Sequence, residues 1–209
     1  MQYGNQYKEI VENLFGRALI DADGLPHKLV EEAEQRLGIT LPLAIREYYF
    51  TLGGFLQLNE AHNRLINPGE LAFQHEILCF MDENQCVCKW GLRREDLAAN
   101  DPIVYQVNSL DSLDRFSVDL CLSNFLLLSI YLQAVLGGLP INGAHMNAND
   151  VIPTIENSFD KVVENDGLRI WHKNGMLISH LEGDNICICA ARSALEFQYL
   201  KQTLGFEEQ

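Results

Sequence analysis

At 209 residues, with 47% apolar and 21% charged side chains, the chain is long enough to bury a real core, as one large domain or two small ones. Its 29 acidic against 15 basic side chains leave a formal charge of −14. That balance, with no Lys/Arg cluster in the sequence, counts against nucleic-acid phosphates and anionic lipid as partners and favours basic ones. Ile10, Val11, Leu14, Phe15 and Ala18 fall on one stripe, which predicts an amphipathic helix from Tyr7 to Leu19. Asp21-Ala22-Asp23-Gly24 is a turn, and Pro26 to Leu37 repeats the helical pattern with Leu29, Val30, Ala33 and Leu37 inward and Glu31, Glu32 and Glu34 outward. Gly38 stops that helix. Thr40 is placed to cap the next, which starts around Pro42, buries Leu43, Ile45, Tyr48, Tyr49 and Leu52, exposes Arg46 and Glu47, and stops at Gly53-Gly54.

A loop-rich stretch follows from Asn59 to Glu70. Ile77 to Met81 and Cys86 to Leu92 read as a hairpin around Asp82-Glu83-Asn84-Gln85, and Ile103 to Val107 as a short strand after Pro102. Asp111 or Ser112 is predicted to cap a long apolar helix that ends at Gly137-Gly138. Asn149 to Glu164 reads as helix or strand. Leu168 to His172 and Met176 to Leu181 form a hairpin around Lys173-Asn174-Gly175, and Ile186 to Ala191 adds a third strand to an antiparallel meander. Ser193 to Leu204 closes the chain as a helix with Leu195, Tyr199 and Leu200 inward. No internal repeat or linker interrupts this order, so the expectation is one α+β domain over residues 1–209, an antiparallel sheet with helices packed on one face.

Leu37-Gly38-Ile39-Thr40-Leu41-Pro42, then Ile45-Arg46-Glu47-Tyr48-Tyr49 and Leu52-Gly53-Gly54, resemble the SUKH superfamily, which contains the yeast Smi–Knr cell-wall regulators and many bacterial proteins. Glu83-Asn84-Gln85, Trp90-Gly91-Leu92, Glu95-Asp96-Leu97 and Asp101-Pro102 look like that family's central hairpin and the segment after it. Ser109 to Leu113, leading into an apolar helix, continues the likeness, which spans about residues 28–136. The resemblance implies a SUKH-like binding fold, used in bacteria chiefly as immunity proteins that neutralise toxins. It supplies no catalytic residue, and its partner contacts do not carry over by position.

The opening Met1-Gln2-Tyr3-Gly4-Asn5-Gln6-Tyr7 has neither a positive start nor an apolar run, and Leu120 to Leu132 is too short and too broken by Ser123, Asn124 and Ser129 to cross a bilayer. The expected location is cytoplasmic, with the six cysteines reduced. Cys86-Val87-Cys88 and Cys187-Ile188-Cys189 would each place two thiols on one strand face, and four sulfurs would converge if the strands were neighbours. Zinc knuckles space their cysteines by two to four residues, however, and both pairs sit in apolar runs, so no metal is assigned. His172 and His180 lie on facing strands of the predicted meander, without an evident partner for acid–base chemistry. Among the nucleophile elbow, Walker loop, zincin and dinucleotide motifs, none occurs. No catalytic residue and no cofactor is expected, and the chain reads as a non-enzymatic binder.

A binding surface would use loops on a rigid scaffold and large, stiff anchors. The candidates are Glu60, His62 and Arg64 in the long loop, Asp82, Glu83 and Asn84 in the hairpin turn, and Trp171 in the meander, with Trp90 assigned to core packing. The leading expectation is an immunity protein that docks on a toxin and blocks it, and the acidic surface would suit a cationic nuclease as that toxin. The alternatives are a regulatory scaffold of the cell-wall-regulator type, and a small-ligand or metal-binding module built on the cysteine and histidine strands.

Overall fold

The structure is a computed structural model that describes residues 2–108 and 115–209. It has the α+β character expected from the sequence, with its strands divided between two antiparallel sheets. The chain separates into two compact units, Met1–Glu9 with Leu19–Leu127, and Ile10–Ala18 with Leu128–Gln209.

The first helix, α1 (Gly4–Phe15), starts three residues earlier than its apolar stripe suggests. Its opening amides are satisfied from outside: Glu47 of α3 (Leu43–Leu52) accepts the N–H groups of Gln2 at 3.0 Å, Tyr3 at 2.6 Å and Gly4 at 2.8 Å. Glu47, expected on the surface, is therefore buried at 6% exposure. Burial alone would raise its carboxyl, but the three amide bonds outweigh that and hold it below its ordinary value. The C-terminal end of α1 comes earlier than expected, at Gly16, whose φ of +65° suits a residue without a side chain. Residues of α1 belong to both units.

Helix α2 (His27–Leu37) ends at Gly38 in the left-handed conformation, as read from the sequence. Thr40 does not cap α3. Pro42 occupies the N-cap position without a side-chain bond, and Glu34 reaches forward to the Leu41 N–H at 2.7 Å. Leu29 of α2 is exposed rather than inward, whereas Val30, Ala33, Ile45, Tyr48, Tyr49 and Leu52 are buried as expected. A single turn, α4 (Leu56–Asn59), follows.

The sheet of this unit contains β1 (Arg64–Leu65), β2 (Ala72–Gln74), β3 (Ile77–Asp82), β4 (Cys88–Arg93), β5 (Ile103–Asn108) and β6 (Arg115–Cys121). Its order is β1-β3-β4-β5-β6, with β2 paired to β3. Every residue of β3 is buried, which its run Ile77-Leu78-Cys79-Phe80-Met81 requires. The expected caps Asp111 and Ser112 lie outside the described residues. Residues 115–121 form an edge strand rather than helix, and α5 (Leu122–Gln133) starts only at Leu122. Its N-terminus is held by Asp101, which accepts from the Ser123 N–H and hydroxyl at 2.7 Å each. Phe125 then packs edge-on against Phe80, with ring centroids 5.7 Å apart. A wider turn over Ala134–Gly138 follows α5, broken at Gly137.

The second unit builds its sheet from β7 (Ile141–His145), β8 (Asp160–Asn165), β9 (Leu168–Lys173), β10 (Met176–Leu181), β11 (Cys187–Ala191) and β12 (Glu207–Glu208), in the order β12-β7-β11-β10-β9-β8. The ambiguous stretch after Asn149 is both things in turn, helix α6 (Ala148–Ser158) and then β8. One face of the sheet, carrying Trp171, Ile178, Cys187 and Cys189, packs with α6 and with α7 (Ala194–Leu204). The other face buries Ile170, Leu177 and Ala190 completely. Helix α7 turns Phe197, Leu200 and Leu204 inward, leaving Leu195 and Tyr199 exposed, contrary to expectation. Strand β7 carries Gly143 because a Cβ there would stand 2.5 Å from the Glu207 carbonyl oxygen and 2.8 Å from the Phe197 ring. Arg192 spans the unit's ends, donating to Glu196 and, at 3.3 Å, to the carbonyl of Asn13.

Candidate protein-contact site

Strand β1 is only two residues long, but its register is decisive: Arg64 stands directly opposite Asp82. Opposed side chains share a sheet face, so the guanidinium meets the carboxylate. Arg64 Nε and Nη2 both donate to Asp82 Oδ2, at 3.2 and 2.7 Å, and Nη1 donates to Glu70 at 2.9 Å. On the other side β4 places Lys89 opposite Asp82, and its ammonium donates to Oδ1 at 2.6 Å. Both oxygens of a buried carboxylate thus carry a cation. Burial pushes Asp82 up, but Lys89 and Arg64 prevail and keep it below its ordinary value. The same bonds hold Arg64 all the more firmly charged.

The turn from Glu83 to Val87 is pinned by its own side chain. Glu83 Oε2 accepts the amides of Gln85 at 2.9 Å and Val87 at 3.3 Å, while Cys86 adopts φ +59°. Asn63 Oδ1 accepts the Asn84 N–H at 3.2 Å, and Asn84 Nδ2 lies 3.2 Å from Nδ1 of His62. Burial pushes the His62 imidazole down although Glu83 opposes it. Beneath the loop, Asn59 donates to the Leu52 carbonyl at 2.6 Å and accepts from the Tyr48 hydroxyl at 2.9 Å. Glu60 follows it directly and is exposed.

His62, Arg64, Asp82, Glu83 and Asn84 are thereby brought onto one margin of the first sheet, with Glu60 two residues before His62. Trp171 is not among them. It lies in the core of the second unit at 1% exposure and serves packing there, whereas Trp90, expected in the core, is half-buried against Phe125. The sequence reading missed Lys89, whose signal was its place flanking the turn opposite Asp82, and Val87, which the left-handed Cys86 turns outward.

Among the described residues, no group of three or more His, Cys, Asp or Glu side chains is placed to hold a metal ion. Cys88 opens β4 of the first sheet with Cys86 in the turn before it, rather than beside it on one strand face, whereas Cys187 and Cys189 belong to β11 of the second sheet. Cys86 is exposed and Cys88 buried, while burial pushes the Cys187 thiol up to about 11 and that of Cys189 up to about 12, keeping both protonated. His172 pairs in register with Leu177, and His180 with Arg169, so the two imidazoles point to opposite faces of the sheet. A recess beside Lys89 and Glu70, lined also by Ile66, Phe73 and Cys79, holds about 110 Å³, below the roughly 300 Å³ of an ordinary small-ligand pocket. No helix among the described residues is long and apolar enough to cross a membrane. No protein-family model, curated protein or solved structure matches the chain.

Proposed function

We propose that the chain is a non-enzymatic protein-binding molecule that acts as an immunity protein, masking a toxin in the manner its SUKH resemblance implies. The observation that carries the reading is the pinned margin of the first sheet: loop and turn residues held by Asp82, Glu83 and Asn63 into a surface that is preorganised for docking. Preorganisation lowers the ordering cost of association, and the overall charge of −14 favours a basic partner, whose approach it accelerates.

On this reading the exposed side chains of the margin are the ones that would meet a partner. Asp82 and Glu83 are engaged in holding the scaffold, so exposed contacts fall to Glu60, Asn84 and Val87. The test is capture of candidate basic toxin domains, compared between the wild type and a Glu60→Lys, Asn84→Lys, Val87→Glu variant. The expected result is capture that weakens about tenfold in the variant and slows as salt rises. Equal capture by both proteins, or toxin activity undiminished by excess protein, refutes the reading.

A further inference from the structure

We infer that the end of the second sheet marked by Leu181, Ile186 and Met146 is a separate docking surface for a cationic protein segment that alternates basic and apolar side chains. In register, Leu181 of β10 faces Leu168 of β9, His180 faces Cys187 of β11, and Cys187 faces His145 of β7. One step past the last paired residues, Ile186 precedes β11 and Met146 follows β7 at a bend, and the register carried on would set both beside Leu181, on the side of the sheet away from Cys187. Leu181, Ile186 and Met146 are 47%, 39% and 61% exposed, and Leu168 and Ile188 beside them are half-buried. Farther along the same face Leu177, Ile170 and Ala190 are fully covered. The apolar face therefore continues past its cover. Isolated exposed leucines are ordinary, but a contiguous row on adjacent strands marks a contact surface.

This end of the sheet is held rigid. Asp166 and Gly167 form a tight turn with φ of +45° and +78°, and the Gly167 carbonyl accepts the Glu182 amide at 2.9 Å. The neighbouring loop is closed by the Asp184 amide on the Leu181 carbonyl at 3.0 Å and by His180 Nε2 on the Asp184 carbonyl at 2.9 Å. The Ala148 amide bonds the Asn185 carbonyl at 3.0 Å. Little further ordering is needed on binding.

Charge chooses the occupant. Asp166, Glu182 and Asp184 surround the row, all exposed and none in an ion pair among the described residues, whereas Asp82 of the first unit is neutralised by two cations. A recess of about 250 Å³ lined by Glu164, Gly167, Arg169 and Glu182 adjoins them, and its Arg169 is already matched by Glu156 at 3.1 Å. A second copy of the chain would bring carboxylates against carboxylates. A partner with lysine or arginine between its apolar side chains gains both burial and charge.

The experiment uses a synthetic decapeptide of alternating lysine and leucine, with the full chain titrated against it by fluorescence anisotropy. Binding is expected, falling steeply with salt, and a glutamate–leucine peptide of the same pattern should not bind. Met146→Ser, Leu181→Ser, Ile186→Ser together should weaken binding about tenfold, and Asp166→Asn, Glu182→Gln, Asp184→Asn should weaken it and flatten the salt dependence. The Glu60→Lys, Asn84→Lys, Val87→Glu variant should bind as the wild type does, which separates this surface from the margin of the first sheet. Equal binding by the triple-serine variant, equal binding of the acidic peptide, or a wild-type dimer in sedimentation velocity that the triple-serine variant abolishes would overturn the inference.

Discussion

Glu47 offers the sharpest test of how the first unit is held together. Replacing it with alanine strips the acceptor from three amides at the start of α1, of which the Gly4 N–H is buried and those of Gln2 and Tyr3 are partly reached by water. A buried donor left unmade costs about 2 kcal/mol and a partly solvated one roughly half that, so Glu47→Ala should cost about 3–4 kcal/mol. Glu47→Gln keeps one carbonyl oxygen for Tyr3 and Gly4 but turns its NH₂ toward the Gln2 N–H, which should cost about 1–2 kcal/mol. The wild type should also lose stability in acid. Its Glu47 is held below the ordinary value of 4.5, so the unfolded chain takes up the proton first. The contribution is complete above that value and drains away as the pH falls through the lower folded one, a slope both variants should lack. Urea unfolding followed by tryptophan fluorescence, which Trp90 and Trp171 share, at neutral pH and across the acid range, measures all three proteins. Unfolding curves for Glu47→Ala that match the wild type, or a glutamine variant as weak as the alanine one, would refute the reasoning.

Two further expectations follow from burial. A thiol reagent applied to the native protein should label Cys86 first, since it is exposed, and leave Cys187 and Cys189 unmodified until unfolding, because both are buried with thiols raised well above the ordinary range; peptide mass mapping reads the order. Leu195→Ser at 82% exposure should change stability by no more than about 0.5 kcal/mol, whereas Phe197→Ala should cost about 3–5 kcal/mol, a contrast visible in thermal unfolding and opposite to the one the helical pattern of α7 suggests.

What the sequence discloses about this molecule is local. Gly38 ends α2 in the left-handed conformation because no other residue does so at so little cost, and Asn174-Gly175 turns β9 into β10 with φ of +49° and +77°. Both are visible in a few adjacent letters. The cap of α1 by Glu47 and of α5 by Asp101 is not, because donor and acceptor are 43 residues apart at the Gly4 amide and 22 at the Ser123 amide. Without those partners a reader places the first helix late and extends α5 back through β6, whose Phe116, Val118 and Leu120 alternate as a strand but adjoin an apolar helix. Strand β7 was hidden by Asn142 and Gly143, residues that weaken a strand in isolation and are required by the close approach of β12. The margin of the first sheet was legible as loop and turn, whereas its ion-pair bracing depended on register. The exposed row of the second sheet was not legible, since Met146 stands 35 residues before Leu181 in the chain and is brought toward it and Ile186 only through the pairing of β7 with β11 and of β11 with β10.

The membership of residues 10–18 in the second unit has a bearing on how the protein is made. The remainder of their unit starts at Leu128, about 110 residues later in the chain. At about 5–20 residues per second that is a wait of roughly ten seconds, during which Val11 and Leu14, fully buried when folding ends, have yet to meet strands not yet translated. Both units are discontinuous in the chain, so neither can be produced by cutting the gene once.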